Sequence, residues 1–175
     1  MDDIVNAIGN NSPRPPVLQF ANTSRNPASF KPQKKCIVLE KKVLELCYQF
    51  EEDSLNALAY IIAHELAHSY CRHGWQTQFA SLDFSKENDA KIQTLDERVD
   101  DETQADIYAG FFAHIAGYNA LDVAGEFLKK IYQEYGLPDT IPGYPSLQER
   151  ILVIEDSKAE FNKLKRVYDF AIIAF

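Results

Sequence analysis

The chain has 175 residues, 46% of them apolar, and a net charge of −8 from 18 Lys and Arg against 26 Asp and Glu. That length suits one domain with a real hydrophobic core, and the composition excludes a collagen-like, disordered or disulfide-scaffold chain. The acidic balance argues against nucleic acid and against anionic membrane surfaces as partners.

Three cysteines, Cys36, Cys47 and Cys71, form no C-x-x-C pair. Zinc-ribbon and thioredoxin-like readings therefore lack support, and free thiols in a reducing compartment are the simplest account. The start, Met1-Asp2-Asp3-Ile4, lacks the basic and apolar regions of a signal peptide. No run approaches the roughly 18 apolar residues that span a bilayer. A soluble, cytoplasmic protein is expected, although a chain trimmed of a targeting segment would read the same.

Residues 1–35 are rich in Asn, Ser and Pro and read as an irregular segment with one strand, Val17-Leu18-Gln19-Phe20. Cys36-Ile37-Val38-Leu39 is a second strand candidate, because β-branched residues suit a pleated surface. From 40 to 50 the pattern turns helical, with Val43, Leu44 and Cys47 facing the core. Ser54 is the expected N-cap of the next helix. Leu55, Leu58, Ile62, Leu66 and Ser69 recur behind it at helical spacing, and the helix should run to about His73 and stop at Gly74. A loop with Trp75, Phe79 and Phe84 follows. Further helices are expected over 87–116, ended by Gly117, over 119–135, ended by Gly136 and Pro138, and from near Ser146 onwards. Residues 140–145 read as a loop.

The expected class is α+β, mainly helical, with a small N-terminal β-sheet, in a single domain spanning 1–175. The last helix covers 155–175 and carries Phe161, Leu164, Tyr168, Ile172 and Phe175 along one stripe. It is expected to pack on the core, with docking of a partner as the lesser reading. Its apolar end should dock on the body or continue into a region beyond this chain, where a regulatory domain or partner would sit.

The chemistry concentrates in His64-Glu65-Leu66-Ala67-His68, inside the strongest helix. Residues four apart share a helix face, so both imidazoles can point at one ion. Zn²⁺ takes His nitrogens at about 2.0–2.1 Å and prefers four ligands. Glu65 sits about 100° around the helix from His64. Its carboxylate falls beside the metal, where it can take a proton from a metal-activated water. The H-E-x-x-H pattern alone arises by accident in many proteins. Its apolar neighbours Ile61, Ile62, Ala63, Leu66 and Ala67 mark a buried helix, in which two histidines and a glutamate without partners would cost several kcal/mol.

A third ligand is needed. The metzincin position, six residues after His68, is Gly74, and His73 lies about half a turn from His64. The better candidate is Glu102, in Glu102-Thr103-Gln104-Ala105-Asp106. Asp106 shares its face and can accept a hydrogen bond from a ligand imidazole. Ala105, Ala109, Gly110 and Phe112 mark that stretch as packed, whereas Glu97, Asp100 and Asp101 read as a solvated face. His114 lies about a third of a turn off the Glu102 face and reads as structural. Cys71 lacks a partner placed to make it a nucleophile.

These blocks, in order, resemble the soluble catalytic core of the HtpX-like and CAAX-prenyl-protease-like zinc metallopeptidases, a gluzincin family. His64 to His68 with Arg72-His73-Gly74 is similar to the family's zinc helix and its tail. Glu102 to Asp106 is similar to its Glu-x-x-Ala-Asp block. Ala116-Gly117-Tyr118-Asn119 resembles its Ala-Gly-Tyr-Asp turn, and Tyr144-Pro145-Ser146 through Glu149-Arg150-Ile151 resembles its His-Pro…Glu-Arg-Ile segment.

The resemblance implies a zincin-like fold. It implies one Zn²⁺ per chain on His64, His68 and Glu102, Glu65 as base and Asp106 behind the ligands. It also implies that the strand at 36–39 edges the cleft, where an extended substrate would add by backbone hydrogen bonds. Tyr144 replaces the family's oxyanion-stabilising His; a phenol still donates, or it packs the loop. Arg150 matches the family's arginine and would orient Tyr144 or bind substrate, a surface ion pair being the plainer reading. The membrane helices of many relatives are absent here. The function expected is a zinc-dependent endopeptidase acting on a protein or peptide substrate. The alternative is a zinc-bound, inactive or latent module that binds a peptide or partner, and a metal-free helical scaffold is the third reading.

Overall fold

A computed structural model describes residues 1–9, 15–23, 25–71 and 95–173 of the chain. Three strands, β1 (Val17–Ala21), β2 (Ala28–Lys31) and β3 (Cys36–Glu40), form a sheet in the order β1-β3-β2. β3 runs parallel to β1, with Val17 opposite Cys36, and antiparallel to β2, with Ala28 opposite Leu39. Among the described residues there are six α-helices, α1 (Asp2–Ala7), α2 (Lys41–Tyr48), α3 (Ser54–Tyr70), α4 (Leu95–Ile115), α5 (Ala120–Tyr135) and α6 (Leu147–Ile173), and two short 3-10 turns. The architecture is therefore mainly helical with a small N-terminal sheet. None of the described helices is long and apolar enough to cross a membrane.

The region expected to be irregular with one strand contains two strands and α1. Ile4 and Val5 of α1 are buried in the core, and the helix packs on α4. β3 is the middle strand, and its apolar run is what a strand flanked on both sides requires. β2 is an edge strand and packs beside α3, so the expectation that 36–39 lies at an edge is corrected: β3 is the middle strand. Glu40, at the end of β3, is buried and accepts from the backbone N–H groups of Arg25 (2.9 Å) and Asn26 (3.0 Å), from the Thr23 hydroxyl and from Tyr135 Oη (3.0 Å). It ties the β1–β2 connection to α5.

α3 is the central helix. From Ala59 to His68 every residue is buried, which fits a helix covered all round, and its largest packing partner is α4. Two expectations about its start are corrected. Asp53, not Ser54, is the N-cap, and its carboxylate accepts from the Asn56 side chain (2.8 Å). Leu55 is 62% exposed, because the first turn precedes the buried stretch. In α2, Val43, Leu46 and Cys47 are buried and Leu44 is half-buried.

The expected ends of α4 and α5 fall at Gly117 (φ 88°) and Gly136 (φ 61°), where the chain needs the left-handed conformation. α6 opens with a capping box: Glu149 Oε2 accepts from Ser146 N (2.7 Å), and Ser146 Oγ accepts from Glu149 N (3.2 Å). Arg150 is the next residue, so this cap fixes where it enters the core. The expectations for Arg72, His73, Gly74, Trp75, Phe79, Phe84 and the start of the 87–116 helix lie outside the described residues, as do those for the side chains of Tyr168, Ile172 and Phe175.

Candidate metal centre

Residues on α3 and α4 meet in the core. His64, Glu65, His68, Glu102 and Asp106 are all buried to 1% exposure or less. His64 Nε2 lies 3.2 Å from His68 Nε2 and 3.4 Å from Glu102 Oε2, and His68 Nε2 lies 3.5 Å from Glu102 Oε1. The two helices run antiparallel here, since His64 faces Asp106 while His68 faces Glu102.

These distances carry chemical information. Ligands placed tetrahedrally at about 2.0–2.1 Å from a zinc ion lie about 3.3 Å from one another. The His64–His68 separation of 3.2 Å is near that value, and each imidazole lies at 3.4–3.5 Å from a different oxygen of Glu102. His64 Nδ1 is 2.9 Å from Asp106 Oδ1, so the carboxylate favours a proton on Nδ1, and in the neutral ring Nε2 is then the lone pair facing Glu102. Both oxygens of Glu102 are buried without a hydrogen-bond donor among the described residues. Lone pairs facing a carboxylate at such distances repel unless a proton or a cation lies between them. The His64–His68–Glu102 group can therefore hold a metal ion.

Charges within the site move its protonation equilibria. For His64, burial opposes protonation, but the adjoining carboxylates of Asp106 and Glu102 outweigh it and raise the pKa to about 9. Burial pushes Glu65 up to about 8, with the Glu102 charge adding to the rise, while His64, a backbone hydrogen bond from Phe30 and the Arg150 charge oppose it. A carboxyl group with a pKa near neutrality is suited to passing a proton in either direction. For Asp106, burial favours the neutral acid. The Arg150 guanidinium and then His64 more than offset this and hold its carboxyl well below the usual range.

Arg150 is fully buried rather than on the surface. Its Nε donates to Asp106 Oδ2 and its Nη2 to Asp106 Oδ1, both at 2.7 Å. This bidentate pair attaches α6 to the rear of the centre. Tyr144 is buried in the turn before α6, where its N–H donates to the Ile141 carbonyl (3.0 Å). His114 is exposed, with its ring against Phe161. Burial pushes the Cys47 thiol up to about 12, and burial and then the Asp101 charge raise that of Cys71.

Sequence reasoning did not single out Tyr60. It is fully buried and donates to Asp106 Oδ1 at 2.7 Å. The signal was its spacing: it lies four residues before His64 and eight before His68, on the same helix face. Phe30 was also missed, because its part in the site depends on where β2 pairs. Comparisons with protein-family models, with curated proteins and with solved structures each find no match.

Proposed function

We propose that this chain is a zinc-dependent endopeptidase of the gluzincin type, with a zincin-like fold, resembling the HtpX-like and CAAX-prenyl-protease-like enzymes. The observation that carries the reading is the buried group of His64, His68 and Glu102, which offer one ligand atom each within 4.8 Å of one another, with the buried carboxyl of Glu65 one residue along α3. Oxygen–nitrogen ligation with two imidazoles suits zinc. Free cysteines at 36, 47 and 71 suit a reducing, cytoplasmic setting.

Zinc, when bound, supplies a Lewis acid that polarises the scissile carbonyl and lowers the pKa of its water towards 7. Glu65 takes the proton of the attacking water and returns it to the leaving amine. Asp106 holds the His64 tautomer, and Arg150 holds Asp106. The substrate, an extended stretch of protein or peptide, lies along β2, whose Phe30 backbone contacts Glu65. In the sequence motif Tyr144 takes the position of the family's oxyanion-stabilising His, and its phenol would be the donor.

The test is cleavage of an unfolded protein by zinc-loaded wild type and Glu65→Gln. The variant should keep its zinc and lose about 10²–10⁴-fold in rate, the usual contribution of a general base. A Glu65→Gln variant as fast as wild type would overturn the mechanism. A zinc-loaded wild type that cleaves nothing would favour a non-catalytic, peptide-binding module.

A further inference from the structure

Three side chains from two helices converge on one buried carboxylate of a third. Asp106 Oδ1 accepts from Tyr60 Oη at 2.7 Å and from Arg150 Nη2 at 2.7 Å, and lies 2.9 Å from His64 Nδ1. Oδ2 accepts from Arg150 Nε at 2.7 Å. Arg150 and His64 were expected to matter from their motifs. Tyr60 belongs to no motif, yet it reaches the same oxygen as the imidazole.

Packing alone does not require a hydroxyl there. Phenylalanine would fill the same space and would carry no polar atom into a fully buried position, where an unmet hydroxyl costs free energy. The hydroxyl donates to Asp106 Oδ1, with the Arg150 guanidinium also beside it, so it helps hold that side chain in one rotation about its terminal bond. Arg150 grips both oxygens from α6, and Tyr60 grips Oδ1 from the helix that carries the imidazoles.

We infer that Tyr60 is a positioning residue of the metal centre: its hydroxyl orients Asp106 so that Oδ1 receives the His64 Nδ1–H and Nε2 stays aimed at the metal position between His68 and Glu102. The inference rests on the reading of His64, His68 and Glu102 as the ligand set. It assigns Tyr60 no contact with metal or substrate, and its effect passes through Asp106. Removing it leaves the three ligands in place but lets the His64 ring and its acceptor turn together. The site then binds metal less tightly without losing its ligand count.

The experiment is titration of the metal-free chain with Co²⁺, following the visible d–d bands and measuring Kd by competition with a chelator. The proteins are wild type, Tyr60→Phe, Asp106→Asn and the double variant, each checked for folding by far-UV circular dichroism. Loss of a group supporting a metal-ligating His typically weakens binding about 10–100-fold. Asp106→Asn should fall in that range, and Tyr60→Phe should weaken binding by about tenfold. Because Tyr60 acts through Asp106, the double variant should match Asp106→Asn to within about twofold.

A Tyr60→Phe variant within twofold of wild type would overturn the inference. So would a double variant showing the full product of the two single losses, which would mark Tyr60 as acting independently of Asp106. A wild type that takes up no Co²⁺ would overturn the ligand assignment itself, and the inference with it. A check that needs no variant is proton NMR of the zinc-loaded wild type. The Tyr60 hydroxyl and His64 Nδ1 protons should both exchange slowly with solvent, and a rapidly exchanging Tyr60 hydroxyl would refute the proposal.

Discussion

Arg150→Met removes two 2.7 Å hydrogen bonds to Asp106 while keeping an unbranched apolar stem in their place. Both side chains are fully buried, so no water replaces the guanidinium. Removing one partner of a buried pair costs about 3–5 kcal/mol. Tyr60 and His64 remain beside the carboxylate, which puts the loss at the lower end, about 3 kcal/mol. At about 2–4 °C per kcal/mol for a chain of this size, Tm should fall by about 6–12 °C. Urea unfolding of the metal-free protein, followed by far-UV circular dichroism at pH 7, measures the loss. Asp106→Asn combined with Arg150→Met buries no charge and should recover at least half of it. The pH dependence has a definite sign. Burial raises the Asp106 pKa, but Arg150 overrides it and depresses the folded value. The resulting stability is present above the unfolded value of about 3.9 and is lost as pH falls through the folded one. The gap between wild type and Arg150→Met should therefore narrow below about pH 4. A loss under about 1 kcal/mol, or a double variant less stable than Arg150→Met, would refute the assignment of Arg150 as the counter-ion of Asp106.

Zinc uptake by the metal-free chain at pH 7.5 should release about one proton or more. A ligating imidazole must be neutral, whereas His64 is protonated below about 9. Titration calorimetry in two buffers of different ionisation enthalpy reads this directly, and identical heats would contradict it. Gly110→Ala should destabilise the fold by about 1 kcal/mol despite the better helix propensity of alanine. The added Cβ would meet three Leu121 side-chain atoms at 2.5–3.0 Å. In a Leu121→Ala background the same change should become stabilising, as thermal melts would show.

The centre was legible in the sequence because both halves of it use one spacing. His64 with His68 and Glu102 with Asp106 each lie four apart on a helix, and apolar neighbours announced that both stretches are buried. What depends on pairing in three dimensions was not legible. The order of the strands is set by which edges meet, so Cys36-Ile37-Val38-Leu39 was read as an edge although β3 lies in the middle. β2 has only four residues between Pro27 and Pro32, too few for a period-2 pattern, and α1 has only six. Arg150 carried no sign of burial, because an arginine enters a core only when its counter-ion waits there, and that counter-ion sits 44 positions away.

The matching spacings on α3 and α4 have a cost in alignment. Sliding one helix by a single turn, about 5.4 Å, would again bring a carboxylate opposite an imidazole, with Asp106 standing where Glu102 belongs. The two alignments differ by one methylene in the facing carboxylate, a small energetic preference by itself. Arg150 breaks the tie, since only one alignment brings Asp106 to a guanidinium delivered by a third helix and fixed by the Ser146–Glu149 cap. A third helix thus chooses which carboxylate faces the two imidazoles.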